Sequence, residues 1–221
     1  AGIPNKMLFS CQSRIDTLHR NPWLMDLMHE AGMRQIFLGI ESVHQQSLNA
    51  MNKRNTTPKM TREVINALQD RGISTFGGVI IGYPGETKKM VRQTIQFTKS
   101  LNISCVQFTP ITAFPGTQFF DEMKAEGKVV TDNYRRYNLF HSMMRTDELS
   151  AMDMYKLVME AYASYYLSGS WLKTVAKRYV NPFGKFNWMF RIIPKFIRQA
   201  MRGGLEMLHS QGISRRRISD E

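Results

Sequence analysis

Apolar runs and amphipathic stretches alternate along roughly the first 130 residues of the chain. Each apolar run is short and ends in polar or turn-forming residues, which is typical of strands that are buried on both faces. These runs predict strands at residues 6–13, 35–40, 79–81 and 105–111. The stretches with an apolar stripe predict helices at residues 22–31, 45–51, 61–70, 87–101 and 118–126.

The alternation of strands and helices predicts an α/β fold with parallel strands. Right-handed crossovers leave two architectures open, a doubly wound sheet and a (β/α) barrel. In a barrel the carboxyl ends of all strands meet at one mouth, and each strand predicted here ends in polar residues. Because four βα units are half of an eight-unit barrel, we expect a partial TIM-like barrel whose other half precedes Ala1.

The turn after the third predicted strand is the most informative strand end. Gly82 and Gly85 have no Cβ, so a ligand can approach the backbone closely, and Pro84 stiffens the turn. Glu86 and Thr87 then open a helix. A strand that ends in such a turn before a helix is where α/β folds place their ligand sites.

Beyond Gly127 the alternation stops, and the pattern divides the chain into three parts. Residues 1–130 contain the βα units, and residues 131–170 contain a polar, aromatic connector followed by a long helix at 148–167. Residues 171–221 form a basic, aromatic tail. In this interpretation the last two parts are a C-terminal helical extension of the barrel.

The formal net charge of +12 is concentrated in that tail. Residues 171–217 contain eleven Lys or Arg and one acidic residue, and a helix predicted at 187–208 interleaves these charges with aromatic and aliphatic residues. Three interpretations remain open. The tail lies on an anionic membrane surface, packs its apolar stripe on the barrel, or binds nucleic acid without a recognition motif.

Other features of the composition point to the cytoplasm. The sequence has no apolar run long enough to span a bilayer and no secretory signal pattern at its start. Its two cysteines, Cys11 and Cys105, make no disulfide framework, and its five histidines have no metal-binding spacing. We therefore expect a cytoplasmic protein, with peripheral attachment to a membrane through the tail as an open alternative.

Short motifs follow one another in order: SRID at 13–16, AG at 31–32, LGIES at 38–42, MNK at 51–53, GVIIGYPGET at 78–87 and FPGT at 114–117. In this order and spacing the chain resembles the second half of the radical S-adenosylmethionine (SAM) barrel over residues 6–170. Within that superfamily it is similar to the branch with an N-terminal cobalamin-binding domain. That branch includes anaerobic magnesium-protoporphyrin IX monomethyl ester cyclases and hopanoid methylases.

The resemblance implies radical chemistry on a lipophilic small molecule, with methylation or oxidative cyclisation as the outcome. In this superfamily a [4Fe-4S] cluster, held by a Cys-x3-Cys-x2-Cys loop, cleaves SAM, and the branch implies cobalamin as a further cofactor. The sequence departs from this pattern because Cys11 and Cys105 are 94 positions apart. We expect the loop in the missing N-terminal part of the protein, and no SAM cleavage by the isolated chain.

The resemblance also assigns cofactor-binding residues. Glu41 ends a strand where the superfamily contacts SAM, and a carboxylate can accept hydrogen bonds from ribose hydroxyls; Ser42 is its neighbour in the motif. Lys53, with Arg54 as a rival, lies in the loop that places a cation on the SAM carboxylate. The two turn glycines are predicted to lie against SAM. The alternatives are a surface or helix-capping carboxylate at Glu41 and a solvated charge at Lys53.

Three further side chains are predicted to face the barrel mouth or its interior. Arg14 ends the first strand, and it either contacts SAM or substrate or pairs with Asp16. Gln107 and Thr109 alternate on the fourth strand, so they lie on one polar face and are candidates for the substrate wall. No catalytic residue can be assigned from the sequence.

Two other functions remain open. A tRNA-modifying radical SAM enzyme would use the basic tail as its RNA contact, and a barrel fragment without catalysis would act as a binding module. A half-barrel also has two exposed sheet edges. We therefore expect the isolated chain to be poorly soluble or to pair with its missing half.

Overall fold

The sheet is the centre of the fold and establishes the architecture. The computed structural model describes residues 9–174, except 132, 134–136, 138 and 172. The strands are β1 (Phe9–Ser13), β2 (Met33–Glu41), β3 (Ser74–Ile81) and β4 (Cys105–Pro110). They form a four-stranded sheet in the order β1-β2-β3-β4, and every neighbouring pair is parallel. Because every crossover steps in the same direction, right-handed connections put the helices on one face, as in an arc of a barrel. The partial barrel is confirmed.

Helices connect these strands and extend the fold beyond them. They are α1 (Ile15–Arg20), α2 (Trp23–Glu30), α3 (Gln45–Ala50), α4 (Pro58–Asp70), α5 (Lys88–Ser100), α6 (Gln118–Ala125) and α7 (Ala151–Tyr166). Thr57, Thr87, Thr117 and Ser150 cap the starts of α4 to α7, because each side-chain oxygen accepts a backbone N–H of the first turn. The sequence pattern did not predict α1, which has only six residues.

The core lies between the sheet and the helices. Alternate residues of β2, β3 and β4 point to this side and are buried, among them Ile36, Leu38, Ile40, Val79, Ile81, Val106 and Phe108. The buried stripes of α4 and α5 complete the same core. Each such side chain stabilises the fold by about 1.5–3 kcal/mol when it leaves water.

The other face of the sheet is the one that lines the interior of a barrel. Phe37 and Gly39 of β2 point to it, and Gly39 is in register with Gly78 and then with Gln107. Phe37, Gly39 and Gln107 are half-buried, unlike their neighbours on the helical side. We call this the inner face.

α7 covers the edge of β4. The Tyr166 hydroxyl accepts the Val106 N–H at 2.8 Å and donates to the Val106 carbonyl oxygen at 2.7 Å, while the Tyr162 hydroxyl accepts the Phe108 N–H at 3.2 Å. These hydroxyls occupy the positions that a further strand would take. The expectation of two bare sheet edges is therefore wrong for β4. In the part of the chain that the structure describes, β1 pairs with β2 alone.

The basic tail is almost wholly outside the described residues, which end at 174. The helix predicted at 187–208 and the three interpretations of the tail therefore stay predictions. The three-part division of the chain likewise stays a prediction. Within the described residues, none of the helices has both the length and the apolar character that crossing a bilayer requires.

Candidate functional site

The end of β2 has an unusual backbone. Glu41 has a φ of 61°, in the left-handed region, where a residue other than glycine costs about 1–3 kcal/mol. The pairing of β2 with β3 shifts register at this point, since Gly39 lies opposite Gly78 but Glu41 lies opposite Val79. Such an irregularity re-aims a side chain, and here the Glu41 carboxylate turns back over Gly39 on the inner face.

Lys53 meets this carboxylate. Its Nζ lies 2.7 Å from Glu41 Oε1 and also donates to the Gly39 carbonyl oxygen at 3.2 Å. Asn52, which precedes it after α3, has a φ of 57° and turns the chain back toward β2. The Lys53 and Glu41 side chains are 20% and 16% exposed, so the pair is sheltered but still reachable from solvent.

Gly39 provides the space for this ion pair. A Cβ at position 39 would overlap the Glu41 carboxylate and would lie 2.5 Å from Lys53 Nζ. Gly39 has no positive φ, so its role is to leave room rather than to adopt a special backbone conformation. Gly39 was not predicted as a site residue, although its place two positions before Glu41 puts it on the same strand face.

The arrangement suits a ligand that carries both an anion and hydroxyl groups. A Lys ammonium has three donors, so Lys53 can bind a ligand carboxylate while it keeps a protein partner. An ionised Glu41 is an acceptor only and can bind donor hydroxyls. The rival cation, Arg54, is exposed and outside this pair.

Ser42 lies next to Glu41 but in a different environment. Its hydroxyl is buried and donates to Glu86 Oε1 at 2.7 Å, and it lies 3.4 Å from the Thr94 hydroxyl. The Thr94 hydroxyl also accepts the Val43 N–H at 3.3 Å. The Ser42 hydroxyl is thus bound within the protein, and its predicted contact with the cofactor stays a prediction.

Glu86 joins the ends of two strands. One carboxylate oxygen accepts the Ser42 hydroxyl at the end of β2, and the other accepts the Tyr83 N–H at 3.3 Å in the turn after β3. The Glu86 N–H donates to the Tyr83 carbonyl oxygen at 2.9 Å and closes the turn. The sequence pattern predicted only that Glu86 begins a helix, and it did not predict this buried connection between two strand ends.

The turn glycines have positive φ values, 81° at Gly82 and 88° at Gly85, which explains why glycine is present. Their surroundings differ from the expectation of an open approach for a ligand. A Cβ on Gly82 would lie 2.9 Å from Met154 Cγ of α7. The Gly85 N–H donates to Glu148 Oε2 at 3.2 Å. α7 and its preceding segment fill this side of the turn, and contact with SAM stays a prediction.

Arg14, at the end of β1, pairs with Asp16. The Arg14 Nε donates to Asp16 Oδ1 at 3.0 Å, and the Arg20 Nη2 donates to Asp16 Oδ2 at 3.4 Å. Burial opposes ionisation of Asp16, but the hydrogen bond from Arg14 and the charges of both arginines outweigh it, so the pKa lies below its usual value. The predicted alternative of structural pairing is observed, while a contact from the 54% exposed Arg14 side chain to SAM or substrate stays a prediction.

Gln107 and Thr109 lie on the inner face of β4, as their alternation predicted. Both are half-buried, and neither side chain has a hydrogen-bond partner among the described residues. Their polar groups are therefore available to a molecule inside the barrel. The role in substrate binding is a prediction that this placement permits.

The cysteines do not form a cluster site. Cys11 Sγ lies 3.6 Å from Met33 Sδ, and Cys105 Sγ lies 3.4 Å from the Tyr166 hydroxyl. Burial raises the pKa of both thiols, which disfavours the thiolate that binds metal. Over residues 9–174 with the stated gaps, no three His, Cys, Asp or Glu side chains are close enough to hold a metal ion. These residues do not fit a [4Fe-4S] cluster, which needs three thiolates here.

Comparison with known proteins gives a consistent match. Residues 8–98 match the family model of the radical SAM superfamily. An uncharacterized methyltransferase of Pyrococcus horikoshii is 31% identical over 159 residues, which cover 72% of this chain and 34% of that protein. An anaerobic magnesium-protoporphyrin IX monomethyl ester cyclase of Rubrivivax gelatinosus is 25% identical, over 76% of this chain and 30% of the cyclase.

A solved structure shares the fold. It is the radical SAM methyltransferase TsrM of Kitasatospora setae with cobalamin and a [4Fe-4S] cluster bound. The TM-score is 0.50 at 21% identity, over 57% of this chain and 24% of TsrM. The chain spans about a third of the length of the two curated relatives, so it corresponds to one part of such proteins.

Proposed function

We propose that this chain, which belongs to the radical SAM superfamily, is the part of a larger enzyme that binds SAM at the ends of its parallel strands. The observation that carries the proposal is the ion pair of Glu41 and Lys53 on the inner face. An acceptor and a donor lie together there, sheltered from bulk water, in the space left by Gly39.

Each charged residue has a distinct role in this proposal. Lys53 binds the carboxylate of SAM by a charge-assisted hydrogen bond, and Glu41 accepts hydrogen bonds from the ribose hydroxyls. The backbone of the strand-end turn at Gly82 and Gly85 is proposed to contact SAM on the side away from Met154 and Glu148, which fill the other side of the turn. Arg14, on the neighbouring strand end, retains enough exposure to reach SAM or the substrate.

The iron–sulfur cluster of the proposed enzyme is bound by another part of the protein, because this sequence has only two cysteines. When bound, the cluster would supply the electron that cleaves SAM to a radical. Cobalamin is proposed as a further cofactor, supported by the similarity to TsrM, whose structure contains it. This chain contributes the binding and orientation of SAM and one wall of the substrate chamber.

The proposed substrate is a lipophilic small molecule that is methylated or oxidatively cyclised. The inner face supports this, because Phe37 and Ile80 offer apolar surface, while Gln107 and Thr109 of β4 offer hydrogen-bonding groups on the same face. Two relatives support the same proposal, since one is an uncharacterized methyltransferase and the other is a magnesium-protoporphyrin IX monomethyl ester cyclase.

The test is SAM binding to the complete protein with its cluster reconstituted, measured by isothermal titration calorimetry. We expect Glu41→Gln and Lys53→Met each to weaken SAM binding about tenfold or more. Lys53→Met removes the donor to the SAM carboxylate, and Glu41→Gln replaces a charged acceptor of the ribose hydroxyls with a weaker, neutral one. Glu63→Gln and Lys59→Met are matched controls, because these two residues form an exposed pair 3.9 Å apart on α4. Unchanged SAM affinity in both Glu41→Gln and Lys53→Met would refute the proposed site.

A further inference from the structure

We infer that Ser42 and Glu86 are positioning residues, which hold Glu41 in the conformation that brings its carboxylate to Lys53. The inference rests on the proposed function, because SAM is the ligand whose affinity reports the position of Glu41. It assigns a role to a buried hydrogen-bonded connection that itself has no opening to a ligand.

Glu41 needs support from its surroundings. A left-handed φ at a residue other than glycine persists only where neighbouring contacts stabilise it. The Ser42 N–H donates to the Ile40 carbonyl oxygen at 2.9 Å, so the backbone folds tightly around Glu41. Among the described residues, the Glu41 side chain is hydrogen-bonded only to Lys53. Because the Lys53 side chain is flexible, this contact alone cannot fix the backbone conformation of Glu41.

Ser42 anchors the residue after this tight fold. Its buried hydroxyl donates to Glu86 Oε1 at 2.7 Å and accepts the His44 N–H at 3.3 Å. These two hydrogen bonds fix the position of the hydroxyl oxygen. Ser42 and Glu86 are both buried, with only 3% and 1% of their surface exposed. A relaxation of Glu41 toward an extended φ would have to displace this anchor.

Glu86 connects the anchor to the next strand. Its second carboxylate oxygen accepts the Tyr83 N–H, so the position of the β2 end depends on the turn after β3. The two ends of neighbouring strands are therefore tied by one carboxylate. Glu86, which lies 44 positions beyond Ser42, can therefore influence the geometry of Glu41.

If the hydrogen bond between Ser42 and Glu86 contributed only to folding stability, its removal would affect SAM binding differently from the removal of a positioning contact. If Ser42 acts through Glu41, its removal should matter only while Glu41 still has its carboxylate. A double-mutant cycle separates the two cases, because residues that act through one another give non-additive effects on binding. The cycle combines Ser42→Ala with Glu41→Gln in the complete, reconstituted protein, with SAM as the titrant.

We expect Ser42→Ala to weaken SAM binding roughly tenfold in the wild-type background, within the coupling range of residues in one network. In the Glu41→Gln background the same change should have almost no further effect. Glu86→Gln should reproduce the Ser42→Ala result, because an amide has one acceptor oxygen and cannot accept both the Ser42 hydroxyl and the Tyr83 N–H. Binding is compared well below the melting temperature of every variant, so loss of fold does not enter.

A crystal structure of the Ser42→Ala variant gives a second readout, independent of SAM. We expect residue 41 to leave the left-handed region and its carboxylate to move away from Lys53. An unchanged φ and ion pair in that variant, or equal losses of affinity in both backgrounds of the cycle, would overturn the positioning role. If neither Glu41→Gln nor Lys53→Met changes SAM affinity, the proposed SAM site fails, while the crystal structure still decides whether Ser42 positions Glu41.

Discussion

Two glutamates follow neighbouring strands of the same sheet, and their environments are opposite. Glu41 ends β2 with a partly exposed carboxylate whose partner is the ammonium of Lys53. Glu86 follows β3 with a carboxylate that is buried and hydrogen-bonded to a hydroxyl and a backbone N–H. Both belong to the motifs that suggested the superfamily, yet only one of them is placed to meet a ligand.

The two carboxylates differ in the free energy that is lost when the hydrogen-bond partner moves away. Lys53 sits on a flexible stem and can turn to a ligand while Glu41 remains partly in water. Ser42 and Tyr83 have no such freedom, and an unpaired polar group in their position costs the full desolvation penalty. A motif carboxylate is thus a ligand candidate when its partner is mobile, and a structural connection when its partners are enclosed.

The largest effect that separates the two glutamates is on folding stability. Glu86→Ala removes the acceptor of both the Ser42 hydroxyl and the Tyr83 N–H and opens a small cavity, so we expect a loss of about 3–5 kcal/mol in the free energy of unfolding. Glu41→Ala removes a partly solvated ion pair, and we expect a loss of about 0–1 kcal/mol. Urea unfolding of the two variants beside Glu63→Ala, a surface control, measures both values.

Comparable losses for Glu86→Ala and Glu41→Ala would break the comparison. They would mean that the Glu41 pair carries as much folding energy as the buried connection. The assignment of Glu41 to a ligand would then lose its physical basis, because a residue essential to the fold cannot readily exchange its partner.

The sequence allowed one half of this comparison to be predicted. Glu41 and Lys53 were both assigned to one ligand from their motifs, and the structure brings their charged atoms together. Ser42 and Glu86 could not be sorted in the same way. The Ser42 hydroxyl contacts Glu86 and Thr94, which lie 44 and 52 positions further along the sequence, and no local pattern indicates such contacts.

For the fold as well, features set by local sequence could be predicted, whereas contacts between distant residues could not. The order of strands and helices was readable because apolar periodicity is a local property. α1 was missed because Ile15 and Leu18 give too short a stripe to distinguish a helix from a strand end. The covering of β4 was missed because the tyrosines of α7 look like an ordinary buried stripe until their hydroxyls are placed.

Two glycines on opposite faces of the sheet extend the comparison to smaller effects. Gly77→Ala puts a Cβ 2.7 Å from the ends of Ile40 and Ile103 in the packed core, so we expect a loss of about 1–3 kcal/mol. Gly39→Ala displaces only the mobile ends of Glu41 and Lys53, so the loss should be under about 1 kcal/mol. Urea unfolding gives the stabilities, and a crystal structure of Gly39→Ala should contain a separated ion pair.

The reverse order of these two losses would contradict the view of the inner face as the adaptable side. That result would mean that the surroundings of Gly39 are tightly packed and that those of Gly77 can adapt to an added methyl group. Retention of the Glu41–Lys53 contact in the Gly39→Ala variant would also refute the role of Gly39 in leaving room for the pair.

Asp16, near the end of β1, is a third carboxylate, and the pH dependence of its contribution to stability can be compared with the behaviour of Glu41 and Glu86. Arg14 and Arg20 overcome the effect of its burial and hold its pKa below the usual value. A lowered pKa in the folded state means that its contribution is present above the unfolded-state pKa of about 4 and disappears as the pH falls through the folded-state value. We expect Asp16→Asn to lower stability by about 1 kcal/mol at pH 7 and to lose this deficit progressively below about pH 4.

Thermal unfolding of wild type and Asp16→Asn between neutral pH and about pH 2.5 tests this sign. The melting temperatures should converge on the acid side, because a protonated Asp16 no longer gains from the two arginines. A difference that stays constant over this range would mean that Asp16 stabilises the β1 end through packing or neutral hydrogen bonds. In that case Asp16 would resemble Glu86, whose hydrogen-bond partners are buried. Glu41 would then be the one carboxylate of the three whose partner is free to move to a ligand.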